Sequence, residues 1–382
     1  MLLLFSGCIF GEKREVDPTE PIALVREDGK FGFIAADGVV CIEPFCIEAG
    51  LFSEGLARFK KSVDYSAKWG YVNRAGDVII EPIYYEASDF SEGLACVKPA
   101  RKYGFIDTTG TLIIPDEYDQ ASGFSEGLAR VKVDSEWGFI DRDGTMVIPP
   151  QFSYAGQFSE GRALVRIGDK YGFIDSEGTI VIPTIYDHGF AFSEGLANVL
   201  IDETWGFVDH DGEMVIEPRF TELYSFEDGL AIVKFKDGWG YIDKNGMFEI
   251  NCQYMDAWSF SEGLAHVMFN GWYGYIDRDD EMVIEPQFYN AGPFSDGLAC
   301  VQLEQGGKWG YIDKTGTIVI DPRFDDAGPF CHGRAFVRIG SGYEPGDNED
   351  AQNIEINKWG YIDKTGNFVI EPRFDVAGNF SE

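Results

Sequence analysis

The sequence is poor in the residues that most often carry chemistry. Its four histidines, His188, His210, His266 and His332, stand far apart and show no HExxH or similar metal spacing. Seven cysteines (Cys8, Cys41, Cys46, Cys96, Cys252, Cys300 and Cys331) include no CxxC pair, and their odd number fits no closed disulfide framework. Positive charge is scarce: 31 Lys and Arg stand against 65 Asp and Glu, a net charge of −34. Such a chain repels phosphate backbones and anionic membranes, so nucleic acid is not an expected partner. No apolar run reaches the roughly 18–20 residues of a transmembrane helix, and no window keeps a helical period. Basic proteins, cations and neutral glycans stay open as partners. The acid also keeps a strand-rich array soluble.

Glycine and aromatic residues are abundant, with 46 Gly and 15% aromatics. That pairing favours strands and tight turns. An aromatic-Gly pair recurs ten times: Phe31-Gly32, Trp69-Gly70, Tyr103-Gly104, Trp137-Gly138 and onward to Trp359-Gly360. From Gly70 to Gly274 each step is 34 residues, and twenty residues after every one of these glycines stands a Phe, from Phe52 to Phe380. Length varies only between the strand ending near Val131 and its equivalents and the next aromatic-Gly pair. That segment is therefore expected to be an exposed turn, displayed on one side of the array in every copy. Its longest version spans residues 340–357 and reads as an acidic loop.

Within residues 127–160, alternation predicts three short strands. Trp137 and Phe139 share a face and Ile140 points away. Asp141-Arg142-Asp143-Gly144 and Phe158-Ser159-Glu160-Gly161 read as turns, and Pro149-Pro150 is expected to end a strand. The Ala at 57, 95, 129, 163, 197, 231, 265, 299 and 335 never changes, which marks a tightly packed position. The residue after it runs through Arg58, Arg130, Leu164, Asn198, His266 and Phe336. That variety predicts an outward position, with Arg58, Arg130, Asn198 and His266 as candidate recognition residues.

The segment Lys308-Trp309-Gly310-Tyr311-Ile312-Asp313-Lys314-Thr315-Gly316, followed by Ile320, Pro322 and Phe324, resembles the WG (KWG) repeat of bacterial proteins. The resemblance covers residues 22–382 in ten copies. Asn251-Cys252 and Cys331-His332 depart from its pattern. It implies a β-repeat protein of the bacterial cell envelope or exterior, with a cytoplasmic location as the alternative, and it carries no catalytic residues. The last copy breaks off at Phe380-Ser381-Glu382, which suggests either a truncated record or an open sheet edge.

The expected fold is all-β, an open curved solenoid of hairpin units. A unit of 34 residues is shorter than the roughly 40–50 residues of a four-stranded propeller blade. A closed propeller is the alternative. The expected function is a non-catalytic scaffold with an unassigned protein or glycan partner and no cofactor or metal. A carbohydrate-binding or carbohydrate-active protein is the alternative, and a structural spacer a third reading. The turns at Asp141 and Asp209 carry too few acids for a calcium loop. A Cys252/Cys331-His332 dyad is disfavoured against chance substitution. The recurring Trp and Tyr read as core rather than as a sugar-stacking ladder. Residues 1–21 hold an apolar run ending at Cys8, before a polar linker. This suggests either a lipid-anchored Cys8 or a buried N-terminal strand.

Overall fold

The computed structural model describes residues 20–64, 66–340 and 357–381. Forty strands pair into ten antiparallel sheets of four strands each, and no helix occurs among the described residues. The ten sheets are the blades of a closed β-propeller. Blade 4 is representative, with strands Gln120–Ala121, Ala129–Val133, Glu136–Ile140 and Met146–Phe152 in spatial order.

Each unit holds four strands where alternation suggested three. The extra one is the first strand, only two residues long in most blades, as in Gln120–Ala121. It is too short to alternate visibly, so sequence pattern missed it. A single residue, such as Asp119, links the fourth strand of one blade to the next. This economy lets a four-stranded blade fit into 34 residues. The first and second strands close through a two-residue turn. Ser125 and Leu128 exchange backbone hydrogen bonds at 3.0 and 3.2 Å. Glu126 and Gly127 both take positive φ, 54° and 80°, as a twisted two-residue hairpin turn demands.

The fourth strand also corrects the sequence reading, because Met146–Phe152 runs through both Pro149 and Pro150. It is an edge strand, where a missing N–H costs little. Its register with the third strand shifts twice, pairing Trp137 with Phe152 but Phe139 with Ile148. The bulged backbone crosses directly over Gly138. A Cβ there would lie 2.4 Å from the Ile148 carbonyl oxygen. The same approach occurs at Gly32, Gly70, Gly310 and Gly360, at 2.5–2.6 Å. This close crossing explains the glycine of the aromatic-Gly pair.

The hydrophobic core lies between blades. The face of blade 4 bearing Phe139, Ile148 and Phe152 packs on Ala163, Val165 and Ile174 of blade 5. The invariant Ala is fully buried in that seam, as at Ala129 and Ala163. A third-strand ring meets the invariant Phe of the next blade at every one of the ten interfaces. Phe139–Phe158 centroids are 5.0 Å apart, Phe33–Phe52 4.8 Å and Tyr361–Phe380 5.1 Å. Such tilted and edge-on contacts suit aromatic quadrupoles and add about 0.5–1.5 kcal/mol beyond area burial. The unvarying twenty-residue interval follows from this geometry.

The ring is closed, and this overturns the open solenoid. The strand Val376–Ser381 joins the first sheet, pairing with Ile22–Glu27 through Ile22↔Ser381, Ala23↔Phe380 and Arg26↔Val376. The single strand at residues 376–381 and the three strands at residues 22–46 complete one blade between them. Tyr361, Ile370 and Phe374 of blade 10 pack on Ala23, Val25 and Ile34. The expected open edge is thus paired. Closure is favoured because it buries one further aromatic seam and removes both terminal edges.

Antiparallel order places the first–second and third–fourth turns on one face of the ring. The second–third turns and the blade-to-blade links lie on the other. All length variation therefore emerges on a single face, as the sequence suggested. The insertion at 340–357 falls largely outside the described residues, as do Cys8 and the segment before residue 20.

Candidate functional site

The two faces of the ring are built differently. On the first–second turn face, neighbouring blades are bonded to one another. Ser125 Oγ donates to the Phe158 carbonyl at 2.8 Å, Ser159 to Phe192 at 2.9 Å and Ser261 to Phe294 at 2.7 Å. Cys331 takes the serine's place in its blade and donates to Phe380 at 3.2 Å. The turn glutamates form a second belt: Glu126 accepts from the backbone N–H of Glu160 and Gly161, and Glu194 from Gly229 at 3.0 Å. Basic residues of the third–fourth turns reach the same carboxylates, as in Lys244–Glu194 and Lys314–Glu262, both 3.2 Å. Part of the strong negative charge is therefore structural.

The turns at Asp141 and Asp209 hold their own backbone. Asp141 Oδ1 accepts from the N–H of Asp143 and Thr145 at 3.0 and 2.8 Å. Asp209 does the same with Asp211 and Glu213. Hydrogen bonds of this kind hold the carboxyl of Asp313 below the usual range, led by the Thr315 hydroxyl. Cys252 and Cys331 lie in blades three steps apart, and burial raises both thiols.

The residue after the invariant Ala does not point outward. Asn198 and His266 are buried, at 2% and 5% exposure. Arg58 and Arg130 are half-buried and donate to the carbonyls of Ala87 and Ala155 in the following blade, at 2.8 and 2.5 Å. The position sits in the seam, and in some blades a glycine two residues before the invariant Phe makes room for it. Gly328 lies under Phe336, where an added Cβ would meet the ring at 2.1 Å, and Gly292 lies under Cys300. Phe336 is thus matched with a glycine, whereas His266 stacks on Trp258, and which residues share the space is visible only once the strands are paired. Burial lowers the His266 pKa to about 4, although nearby Asp256 opposes this.

The aromatic of each aromatic-Gly pair is half-buried at the variable-turn face. In most blades a cation covers it: Arg58 lies 5.2 Å from the Trp69 centroid, Lys98 4.8 Å from Tyr103, Arg130 5.1 Å from Trp137 and Arg338 5.5 Å from Trp359. Lys234 covers Trp239 of blade 7 at 5.4 Å as well, and blades 6 to 8 are set apart at another position. Where other blades have Gly or Ser two residues before the invariant Phe, they carry Phe190, Tyr224 and Trp258, exposed by 47%, 58% and 51%. Phe190 packs on Trp205 at 5.3 Å and Tyr224 on Trp239 at 5.8 Å. Trp258 stacks on His266 at 5.4 Å and donates to Asp256 at 3.1 Å. Sequence reasoning missed this arc, although its signal was present: three successive copies break one phase together.

A groove of about 520 Å³ opens in blade 7, lined by Phe235, Gly238, Phe248, Asn251 and Cys252. It sits where Asn251-Cys252 replaces the usual Glu-Pro, and where Gly238 lacks the side chain that precedes the aromatic in other blades. Among the described residues no group of three metal-binding side chains is assembled, and no helix is long and apolar enough to cross a membrane.

Comparison with known proteins agrees with the architecture. A solved structure described as that of the eukaryotic initiation factor superposes over 95% of this chain and 98% of its own, with TM-score 0.52 and 12% identity. PorZ, a bacterial surface component of the type-IX secretion system of Porphyromonas gingivalis, matches with TM-score 0.28 and 13% identity, over 72% of this chain and 44% of its own. Virginiamycin B lyase from Staphylococcus aureus matches with TM-score 0.29 and 14% identity, over 60% and 94%. At these identities the first likeness concerns fold alone, and the other two carry no argument. No curated protein matches the chain. The model of the WG containing repeat matches nine successive segments, beginning at 69–98 and 103–137 and ending at 309–343 and 359–382. The chain belongs to the WG-repeat family.

Proposed function

We propose that the ring is a non-catalytic scaffold that presents a repetitive surface to a protein partner, with recognition on the variable-turn face. One observation carries this reading. The turns of the opposite face are tied from blade to blade by their own hydrogen bonds, whereas every change in length falls on the variable-turn face. Structure there is free to differ without disturbing a seam. The enzyme alternative lacks a matching feature, since the acids recur in fixed phases and many accept backbone hydrogen bonds.

The test is made on the intact ring, because removing whole blades would break its closure. Proteins of the native cell envelope are passed over the immobilised protein, and the captured partner is titrated. Exchanging the longer second–third turns of blades 2 and 9 for the short Asp134-Ser135 turn, singly and together, should weaken saturable binding in steps. Substitutions in the third–fourth turns should leave it unchanged. A folded ring that binds no envelope protein saturably, or that turns over members of a glycan panel, would overturn the proposal. The envelope location belongs to the same proposal. Labelling with a palmitate analogue that is lost in Cys8→Ser would support it, and an unlabelled protein in the soluble fraction would count against it.

A further inference from the structure

Resting on the scaffold reading, we infer that the arc formed by Phe190, Tyr224 and Trp258 is the docking site for a Lys- and Arg-rich segment of the partner protein. Three observations lead there. The arc breaks the repeat in three adjacent blades at one phase, and the side chains it adds are large, aromatic and about half exposed. Chance replacement of Gly or Ser by three successive aromatics at a solvent-facing position brings no packing advantage in proportion to the apolar surface left in water.

The second observation is what the molecule places on equivalent rings elsewhere. Arg58, Lys98, Arg130 and Arg338 each set a guanidinium or ammonium 4.8–5.5 Å from an aromatic centroid on this face. These cations come from two second-strand positions. Blade 6 has Asn198 and Leu200 there, and blade 8 has His266 and Met268. The rings of these blades have no cation of their own strand to cover them, while Phe190 and Trp258 widen the aromatic surface beside them. A cation supplied from outside would complete at Trp205 and Tyr273 the arrangement that Lys234 makes on Trp239 between them, 5.4 Å from its centroid.

The third is charge. Asp256 sits between Trp258 and Tyr273, accepting from the indole N–H at 3.1 Å and from the phenol at 2.7 Å. Asp202 and Glu203 form the exposed turn of blade 6 on the same face. The whole chain carries −34. This field draws a basic segment in and repels an acidic one.

The experiment uses the full chain with fluorescein-labelled deca-arginine and deca-lysine, and with xylohexaose and chitohexaose as neutral probes. Wild type is compared with F190S/Y224S/W258S, in which Ser takes the place it already has at Ser88 and Ser122. A control, E126Q/E160Q, removes charge on the opposite face. Melting temperature and circular dichroism establish that each variant is folded. The expected result is salt-sensitive peptide binding that falls at least tenfold in the triple variant and changes less than threefold in the control. Equal peptide binding by wild type and triple variant would overturn the inference, since net charge alone would then suffice. Oligosaccharide binding lost in the triple variant, without peptide binding, would overturn the basic-peptide occupant. Captured envelope partner that still binds the triple variant fully would refute the arc while leaving the scaffold reading in place.

Discussion

Tyr361 and Phe380 meet across the closing seam with ring centroids 5.1 Å apart, the same relationship that Phe139 and Phe158 hold inside the ring at 5.0 Å. The seam joining the two ends of the array is therefore built like an internal one. The chain crosses it through Asp375, and the joint that only packing and strand pairing hold shut lies inside the first blade, between Val376–Ser381 and Ile22–Glu27.

Phe380→Ala should cost about 3–5 kcal/mol, the usual range for emptying a buried aromatic site. Phe158→Ala should cost a similar amount. The two variants should differ in shape: the ring of Phe380→Ala should open at lower urea, seen as a larger radius in small-angle scattering before the strands melt. A double-mutant cycle with Tyr361→Ala should return a coupling of about 0.5–1.5 kcal/mol. Deleting Val376–Ser381 should expose the Ile22–Glu27 edge and give self-association in light scattering.

Two glycines separate steric from conformational cost. Gly127 has φ of 80° and open space around it, so Gly127→Ala should lose only about 1–2 kcal/mol. Gly138 has no such φ, but an added methyl would strike the Ile148 carbonyl at 2.4 Å. Gly138→Ala should be the more damaging, with its urea midpoint shifted further. Equal midpoints would show that the fourth strand gives way easily.

Acid should weaken the ring through His266. Its folded pKa is held at about 4 by burial, below the ordinary 6.5. The unfolded chain therefore takes up the proton first. Stability contributed by neutral His266 is complete above the ordinary value and declines as pH falls toward about 4. Over that interval wild type should lose stability that His266→Gln does not lose, as read from urea midpoints at each pH. Parallel pH profiles would remove His266 from the account.

Burial pushes the thiols of Cys46, Cys96 and Cys300 up to about 12. A thiolate is the reactive form. Iodoacetamide at mildly alkaline pH should leave these three unlabelled in the native protein and label them after unfolding, by peptide mass spectrometry. Native labelling of Cys300 would mean that the seam around Phe330 opens.

Much of this architecture is written in one dimension. Periodicity alone fixes the unit, its phase, the recurrence of the invariant Phe, the invariant Ala as a packed position, the face shared by Trp137 and Phe139, and the side on which length varies. These are local or repeated constraints, so comparing ten copies within one chain exposes them. Tertiary structure alone decided closure, the fourth strand and the seam. Pairing Ile22 with Ser381 joins residues from opposite ends of the sequence, which no repeat period records. The two-residue first strand is defined by its partner, not by its own pattern. Variety at Arg58, Asn198 and His266 looked like exposure, because a sequence shows each position singly. The space is shared, and a neighbour such as Gly328 beneath Phe336 makes the room. Which residues trade volume depends on which strands touch, and folding settles that.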